Sequence, residues 1–89
     1  MSRTDQGRLQ AASIDALALA VDAAEKWPAY NSAHEGFAVI FEEFDELKTW
    51  VWTHQKRRDL EAMKVEALQL AASAIRFVAD VCNEEVGRR

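Results

Sequence analysis

The feature that most constrains this chain is its shortage of helix breakers. The 89 residues contain one proline and three glycines. Because these two residue types interrupt regular structure most often, such a chain is predicted to form long helices. Pro28, the single proline, disfavours helical geometry at Trp27. Asn31 and Ser32 follow and favour a turn or a helix cap, so the sequence predicts the first helix boundary here.

Apolar residues recur at helical spacing on both sides of this boundary. Before it, a series that starts at Ile14 continues at i+3, i+7 and i+10, which predicts a first helix over residues 5–26. After it, Ser32 and Glu35 have the spacing of a capping box, which predicts the start of a second helix over residues 32–55. We expect one apolar stripe of this helix to face the core. The stripe contains Phe37, Ile40, Phe41, Phe44, Leu47 and Val51.

The third predicted helix, over residues 59–86 with Asp59 as its N-cap, is apolar on two sides. The second of these sides contains Val65, Leu68, Ala72, Ile75 and Ala79. A helix that is apolar on two sides is usually buried on both, so we expect this side to meet another subunit. The sequence therefore predicts a single all-α domain in which helices 2 and 3 form an antiparallel hairpin around a turn near Lys56. This hairpin is expected to complete a four-helix-type bundle in a homodimer or homotetramer.

Charge and cysteine content narrow the classes of function. The net charge of −4 argues against a dedicated nucleic-acid binder, which usually carries a basic excess. Cys82 is the only cysteine, so the chain can form no internal disulfide and a reduced setting is the simplest interpretation. The N-terminus lacks the apolar region of a secretory signal, and no segment approaches the ~18 apolar residues of a membrane span. We expect a cytoplasmic protein without a membrane or nucleic-acid partner.

Four carboxylates occur within five positions of the second predicted helix, in the stretch FEEFDELKTW at residues 41–50. At 100° per residue, Glu42 and Asp45 lie opposite the apolar stripe. We expect this face to be exposed to solvent, so its carboxylates need no functional role. Glu43 and Glu46 border the stripe. Two carboxylates at i and i+3 on a half-buried edge are costly unless a positive group lies between them.

A further carboxylate is expected to face this pair across the predicted hairpin. With a turn near Lys56, Glu46 lies at the height of Glu66 and Glu43 at the height of Gln69. Three carboxylates and an amide oxygen then converge, and oxygen-only ligands suit a hard cation, Mg²⁺ above all, with Mn²⁺ as an alternative. The other interpretation is that these side chains pair with basic residues of a neighbouring chain or reach water, as acidic helix edges commonly do.

The same residues resemble the signature of the all-α nucleoside triphosphate pyrophosphohydrolases, the MazG-like superfamily, which is ExxE on one helix and ExxD on the next. Here the two halves are EFDE at residues 43–46 and EALQ at residues 66–69. The resemblance implies Mg²⁺-dependent hydrolysis of an NTP or dNTP to monophosphate and pyrophosphate. It implies Glu43, Glu46 and Glu66 as catalytic metal ligands. Gln69 is then a neutral ligand in place of the family's aspartate, which lowers the expected metal affinity.

Four further residues are candidates for substrate binding: Tyr30 and His34 before and in the first turn of helix 2, Trp50 near its end, and Arg76 in helix 3. An aromatic turn can stack a base, and His34 can contact phosphate or sugar. The alternatives are a capping-region histidine beside a hydrophobic staple and a core tryptophan. The alternative function is a non-catalytic interaction or scaffold protein that keeps the family fold, with Gln69 marking a degenerate metal site.

Overall fold

The computed structural model describes residues 3–53 and 59–83, and most of these residues are helical. They contain three α-helices and no strand: α1 (Arg3–Lys26), α2 (Ala33–Val51) and α3 (Leu60–Phe77). A π-helical segment, Val78–Asn83, continues directly from α3. The predicted all-α class is therefore confirmed. Within these two ranges, no helix is both long and apolar enough to cross a lipid bilayer.

The starts of α2 and α3 follow the predicted capping chemistry. Ser32 is extended, and its Oγ accepts a hydrogen bond from the Glu35 amide at 3.1 Å. The Glu35 carboxylate reaches one residue further back than predicted, because it accepts from the backbone amide of Asn31 at 3.2 Å and from its side-chain amide at 3.0 Å. Asp59 caps α3, its Oδ1 accepting from the Ala62 amide at 3.0 Å. Short polar side chains therefore fix both helix starts.

The end of α2 comes earlier than predicted, at Val51. The amide of Thr53 donates to the carbonyl oxygen three residues back, at 3.3 Å, instead of four residues back. This tighter turn is a common way for an α-helix to stop. The predicted turn near Lys56 and the predicted helical residues 84–86 lie outside the described residues.

Only part of the predicted apolar stripe of α2 is covered: Ile40, Leu47 and Val51 are half-buried, whereas the three phenylalanines are exposed. Phe37, Phe41 and Phe44 are 62%, 57% and 51% exposed, and their rings follow one another along the outer surface at centroid distances of 6.3 and 6.4 Å. We call these three residues the phenylalanine face. The inward face is instead centred on buried Gly36 and half-buried Glu43. The expectation that the whole stripe faces the core is therefore wrong, and α2 has a second, outward apolar face.

Gly36 explains how α2 is rotated. A Cβ atom at this position would lie 2.7 Å from the Phe77 ring and 2.9 Å from the Tyr30 ring. Glycine is the residue that permits such a close approach. The N-terminal turn of α2 therefore lies directly against the end of α3.

Helix α3 is central, since both α1 and α2 pack against it. Part of its second apolar side is covered by α1, where Ala16 and Leu68 line one groove. This corrects the expectation that another subunit covers that whole side. Few apolar residues of the described chain are buried: Ala16, Ala20, Tyr30, Ala72 and Val81.

Candidate functional site

Glu43 and Glu46 of α2 meet Glu66 of α3 where the two helices pack. One carboxylate oxygen from each residue lies within 4.8 Å of the other two. Glu43 and Glu66 are half-buried, whereas Glu46 is exposed. The i, i+3 spacing places the first two on one edge of α2, and α3 supplies the third at the same height. The structure thus brings together the three carboxylates that the sequence predicted, and we call them the acidic cluster.

The acidic cluster lacks compensation from nearby protein groups. Oε2 of Glu43 and Oε2 of Glu66 are buried and have no hydrogen-bond partner in the described part of the chain. Burial raises the pKa of Glu66, and a hydrogen bond with Glu46 and the charges of the other two members raise it further. Burial also raises the pKa of Glu43, with the charges of Glu46 and Glu42 adding to the effect. Crowded carboxylates of this kind favour either a proton or a cation between them.

A pocket of about 330 Å³ adjoins the acidic cluster and lies between all three helices. Glu43 belongs to both, since it is a member of the cluster and also lines the pocket. Gln69, the predicted fourth ligand, is exposed on α3 and lines the same pocket. The polar and aromatic lining residues include Lys26, Trp27, Tyr30, Glu43, Gln69 and Arg76.

Arg76 fixes the turn after α1 to the end of α3. Its guanidinium lies over the Tyr30 ring, 4.6 Å from the centroid, and Nη2 donates to the Pro28 carbonyl oxygen at 2.8 Å. The same nitrogen is 3.6 Å from Oδ2 of Asp80, which also accepts from the Tyr30 amide at 3.1 Å. Arg76 therefore balances the charge of Asp80. We call these contacts the Arg76 clamp.

The structure separates the four predicted substrate-binding residues into two pairs. Tyr30 and Arg76 are buried and line the pocket. His34 is exposed in the first turn of α2, and half-buried Trp50 lies near the other end of that helix; neither lines the pocket. Sequence reasoning missed the contribution of α1 and of Trp27. The one available signal was the position of this tryptophan immediately before the single proline.

Comparison with known proteins identifies no relative of this chain. No protein-family model, curated protein or solved structure matches the chain. The acidic cluster and its adjoining pocket are therefore the features from which a function is inferred.

Proposed function

We propose that this chain is a Mg²⁺-dependent nucleoside triphosphate pyrophosphohydrolase, which converts an NTP or dNTP to the monophosphate and pyrophosphate. The observation that carries the proposal is the convergence of Glu43, Glu46 and Glu66 within 4.8 Å. Two of these carboxylates have a buried oxygen without a partner among the described residues, which is unfavourable in itself. A hard cation with oxygen ligands, Mg²⁺ or Mn²⁺, reverses this cost. The resemblance to the MazG-like signature supports the same three residues.

The three glutamates have distinct expected roles. Glu43 and Glu66, which are half-buried, would hold the cation between α2 and α3. When bound, the cation neutralises phosphate charge and makes a coordinated water more acidic. Glu46 is exposed, so its carboxylate can both ligate and orient a water that arrives from solvent. Gln69 contributes a neutral oxygen, and we therefore expect weaker cation binding than an aspartate would give.

A pyrophosphate-release screen across NTPs and dNTPs with Mg²⁺ tests the proposal. Glu46→Gln is expected to abolish release because it removes one of three anionic ligands. Asp45→Asn is the matched control, since it removes the same charge from the exposed face of α2 and should retain release. Unchanged release by Glu46→Gln would remove this residue from the site. Release by Gln69→Asp alone, with none from the wild type, would identify a dormant site.

A second candidate function is a non-catalytic interaction or scaffold protein with a degenerate metal site. Two observations favour it: the neutral Gln69 in the signature, and the exposed phenylalanine face on α2. Heat denaturation with and without millimolar Mg²⁺ or Mn²⁺ discriminates the two functions. A ligand that binds only the folded state raises its apparent stability, so protection supports the hydrolase and its absence supports the scaffold.

We also propose that α2 and α3 form an antiparallel hairpin and that the chain assembles with copies of itself. The approach of Gly36 to Phe77, and of Glu46 to Glu66, supports opposite helix directions. The phenylalanine face supports assembly: a phenylalanine presents about 150–250 Å² of surface, so three that are more than half exposed supply roughly 300 Å². A stable interface takes about 800 Å² from each partner, and neighbouring apolar residues such as Trp52, 76% exposed, extend the patch.

A further inference from the structure

The apolar series of α1 that begins at Ile14 faces away from α3, the helix on which α1 packs. Ile14, Leu17 and Val21 are 64%, 54% and 50% exposed, whereas Ala16 and Ala20 of the same helix are buried. The three exposed residues recur at i, i+3 and i+7, so they form one line along the outer side of α1. We call them the α1 ridge. In the described part of the chain, this ridge stays open to solvent.

An apolar groove of about 480 Å³ lies between α1 and α3. Ser13 lines it, but the Ser13 hydroxyl already donates to the Gln10 carbonyl oxygen at 2.8 Å. Asp15 and Lys64 also line it and are exposed. Most of the lining is small and aliphatic, so the groove suits aliphatic side chains better than a polar ligand. The apolar lining residues are Ala12, Ala16, Ala67, Leu68, Ala71 and Ile75.

The α1 ridge and the groove adjoin on one surface. Ser13 lines the groove, and Leu17 of the ridge lies four residues later, which makes the two residues neighbours on the surface of α1. A projection beside a depression is self-complementary, because a two-fold axis through their boundary places the ridge of each copy in the groove of the other. A different protein would have to supply both features itself. The surface therefore fits a second copy of this chain.

We propose that the α1 ridge and the groove form a contact between two copies of the chain, separate from the phenylalanine face. The ridge side chains of one copy fill the space left by the alanines of the other, as knobs fill holes between packed helices. The contact uses no residue of the acidic cluster, so it does not rest on the proposed hydrolase. It gives the chain a second surface for self-association.

The apolar area of this contact indicates weak association. A fully exposed aliphatic side chain presents roughly 100 Å². The three ridge residues and Ile75, 37% exposed, together supply roughly 200 Å². A stable interface takes about 800 Å² from each partner, more than half of it apolar, so we expect a Kd on the order of 0.1–1 mM. A protein that lacks the phenylalanine contact should then be monomeric when dilute and should pair through α1 when concentrated.

Cross-linking through an introduced cysteine tests where the copies meet. The background carries Phe41→Asp, which removes the phenylalanine contact, and Cys82→Ser, which removes the only native cysteine. Leu17 is the middle residue of the ridge and lies nearest its own counterpart across a two-fold axis. With a short bismaleimide at about 0.5 mM protein, Leu17→Cys is expected to give a covalent dimer. Ala18→Cys is the matched control, because this exposed position lies at the same height but about 100° further round α1.

The mass of the Phe41→Asp protein, measured by sedimentation equilibrium from about 10 μM to 1 mM, tests the strength of the contact. We expect the mass to rise from monomer towards dimer. Adding Leu17→Asp in the ridge or Ala71→Glu in the groove should keep the protein monomeric, whereas Ala18→Glu should leave the rise unchanged. Circular dichroism checks folding. Leu17 is exposed, so its variant keeps the test decisive even if Ala71→Glu does not fold.

Three results would overturn the proposal. These are equal cross-linking by Leu17→Cys and Ala18→Cys, a Phe41→Asp protein that stays monomeric up to about 1 mM, and unchanged pairing after Leu17→Asp. All the measurements are made without nucleotide or divalent cation. Failure of the hydrolase proposal is therefore a different result, since the copies would still pair through α1 while Mg²⁺-dependent pyrophosphate release is absent.

Discussion

Glu66→Gln is the substitution that tests the acidic cluster most directly. We expect it to stabilise the fold at neutral pH when no divalent cation is present, although most core-facing substitutions destabilise proteins. The reason is that glutamine removes one negative charge from a half-buried position beside two other carboxylates. Its side-chain amide can still donate a hydrogen bond to Glu46, as the protonated glutamate does.

The size of the effect follows from the spacing of the cluster. At 4.8 Å, two unit charges repel by about 0.9 kcal/mol in water and by about 3.5 kcal/mol at an effective dielectric constant of ~20. Glu46 is exposed, so its repulsion from Glu66 lies near the lower value, and the repulsion between half-buried Glu43 and Glu66 lies between the two. After solvent screening we expect a gain of about 1–2 kcal/mol. For a domain of this size, that corresponds to a rise in Tm of about 5–15 °C.

The pH dependence gives the prediction a second signature. The pKa of Glu66 is raised in the folded protein, so the folded state binds this proton more tightly than the unfolded chain. The contribution of Glu66 to the stability of the wild type should therefore be greatest in acid and should fall as the pH rises from the unfolded pKa through the folded pKa. The gain from Glu66→Gln should appear only above that window and vanish below it, where the wild-type side chain is itself neutral.

Thermal unfolding followed by circular dichroism, at a series of pH values in low salt with a chelator, measures these effects. Glu25→Gln is the control, because it removes the same charge from an exposed position on α1. Addition of millimolar Mg²⁺ should then raise the Tm of the wild type and leave that of Glu66→Gln almost unchanged. A loss of stability in Glu66→Gln at neutral pH, or equal protection of both proteins by Mg²⁺, would refute the reasoning.

Three further predictions concern packing, assembly and cation affinity. Gly36→Ala should destabilise the fold by about 1–3 kcal/mol in urea titrations, because its Cβ would lie 2.7 Å from the Phe77 ring. Gly7→Ala is the control: Gly7 has open space around it, so this substitution should stabilise α1 by about 0.5–1 kcal/mol. Phe41→Asp should shift the mass measured by light scattering from oligomer to monomer, and a monomeric wild type would contradict the assembly. Gln69→Asp should strengthen Mg²⁺ binding in calorimetric titrations, and an unchanged affinity would place this side chain outside the cation's reach.

The parts of the fold that follow from helix geometry could be predicted from the sequence. Pro28 and the caps at Ser32 and Asp59 act locally, so the helix starts lie within a residue or two of their expected positions. The meeting of Glu46 with Glu66 was also predictable, because it requires only the rise of a helix and a short connection. These relations depend on backbone geometry that every helix shares.

The rotation of α2 could not be predicted in the same way. Periodicity shows that Phe37, Phe41 and Phe44 share a face, but it does not show which face meets α3. Which face of α2 meets α3 depends on a steric detail at Gly36, where only the absence of a side chain lets Phe77 approach. A count of apolar residues predicts that the phenylalanine face packs inward, because it is the more hydrophobic face of α2. In the proposed assembly, another copy of the chain covers this face instead.

The pocket is the least predictable feature, because it depends on contacts between residues that are far apart in the chain. The Tyr30 amide donates to Asp80, fifty residues later, and this bond together with the Arg76 clamp holds the turn after α1 in place. Without the clamp, Tyr30 and Trp27 would have no fixed position beside Glu43. The acidic cluster therefore arises from helical spacing, whereas the pocket beside it arises from tertiary packing. Loss of the clamp, as in Arg76→Ala, should release the turn after α1 while leaving the three glutamates on the helices that hold them.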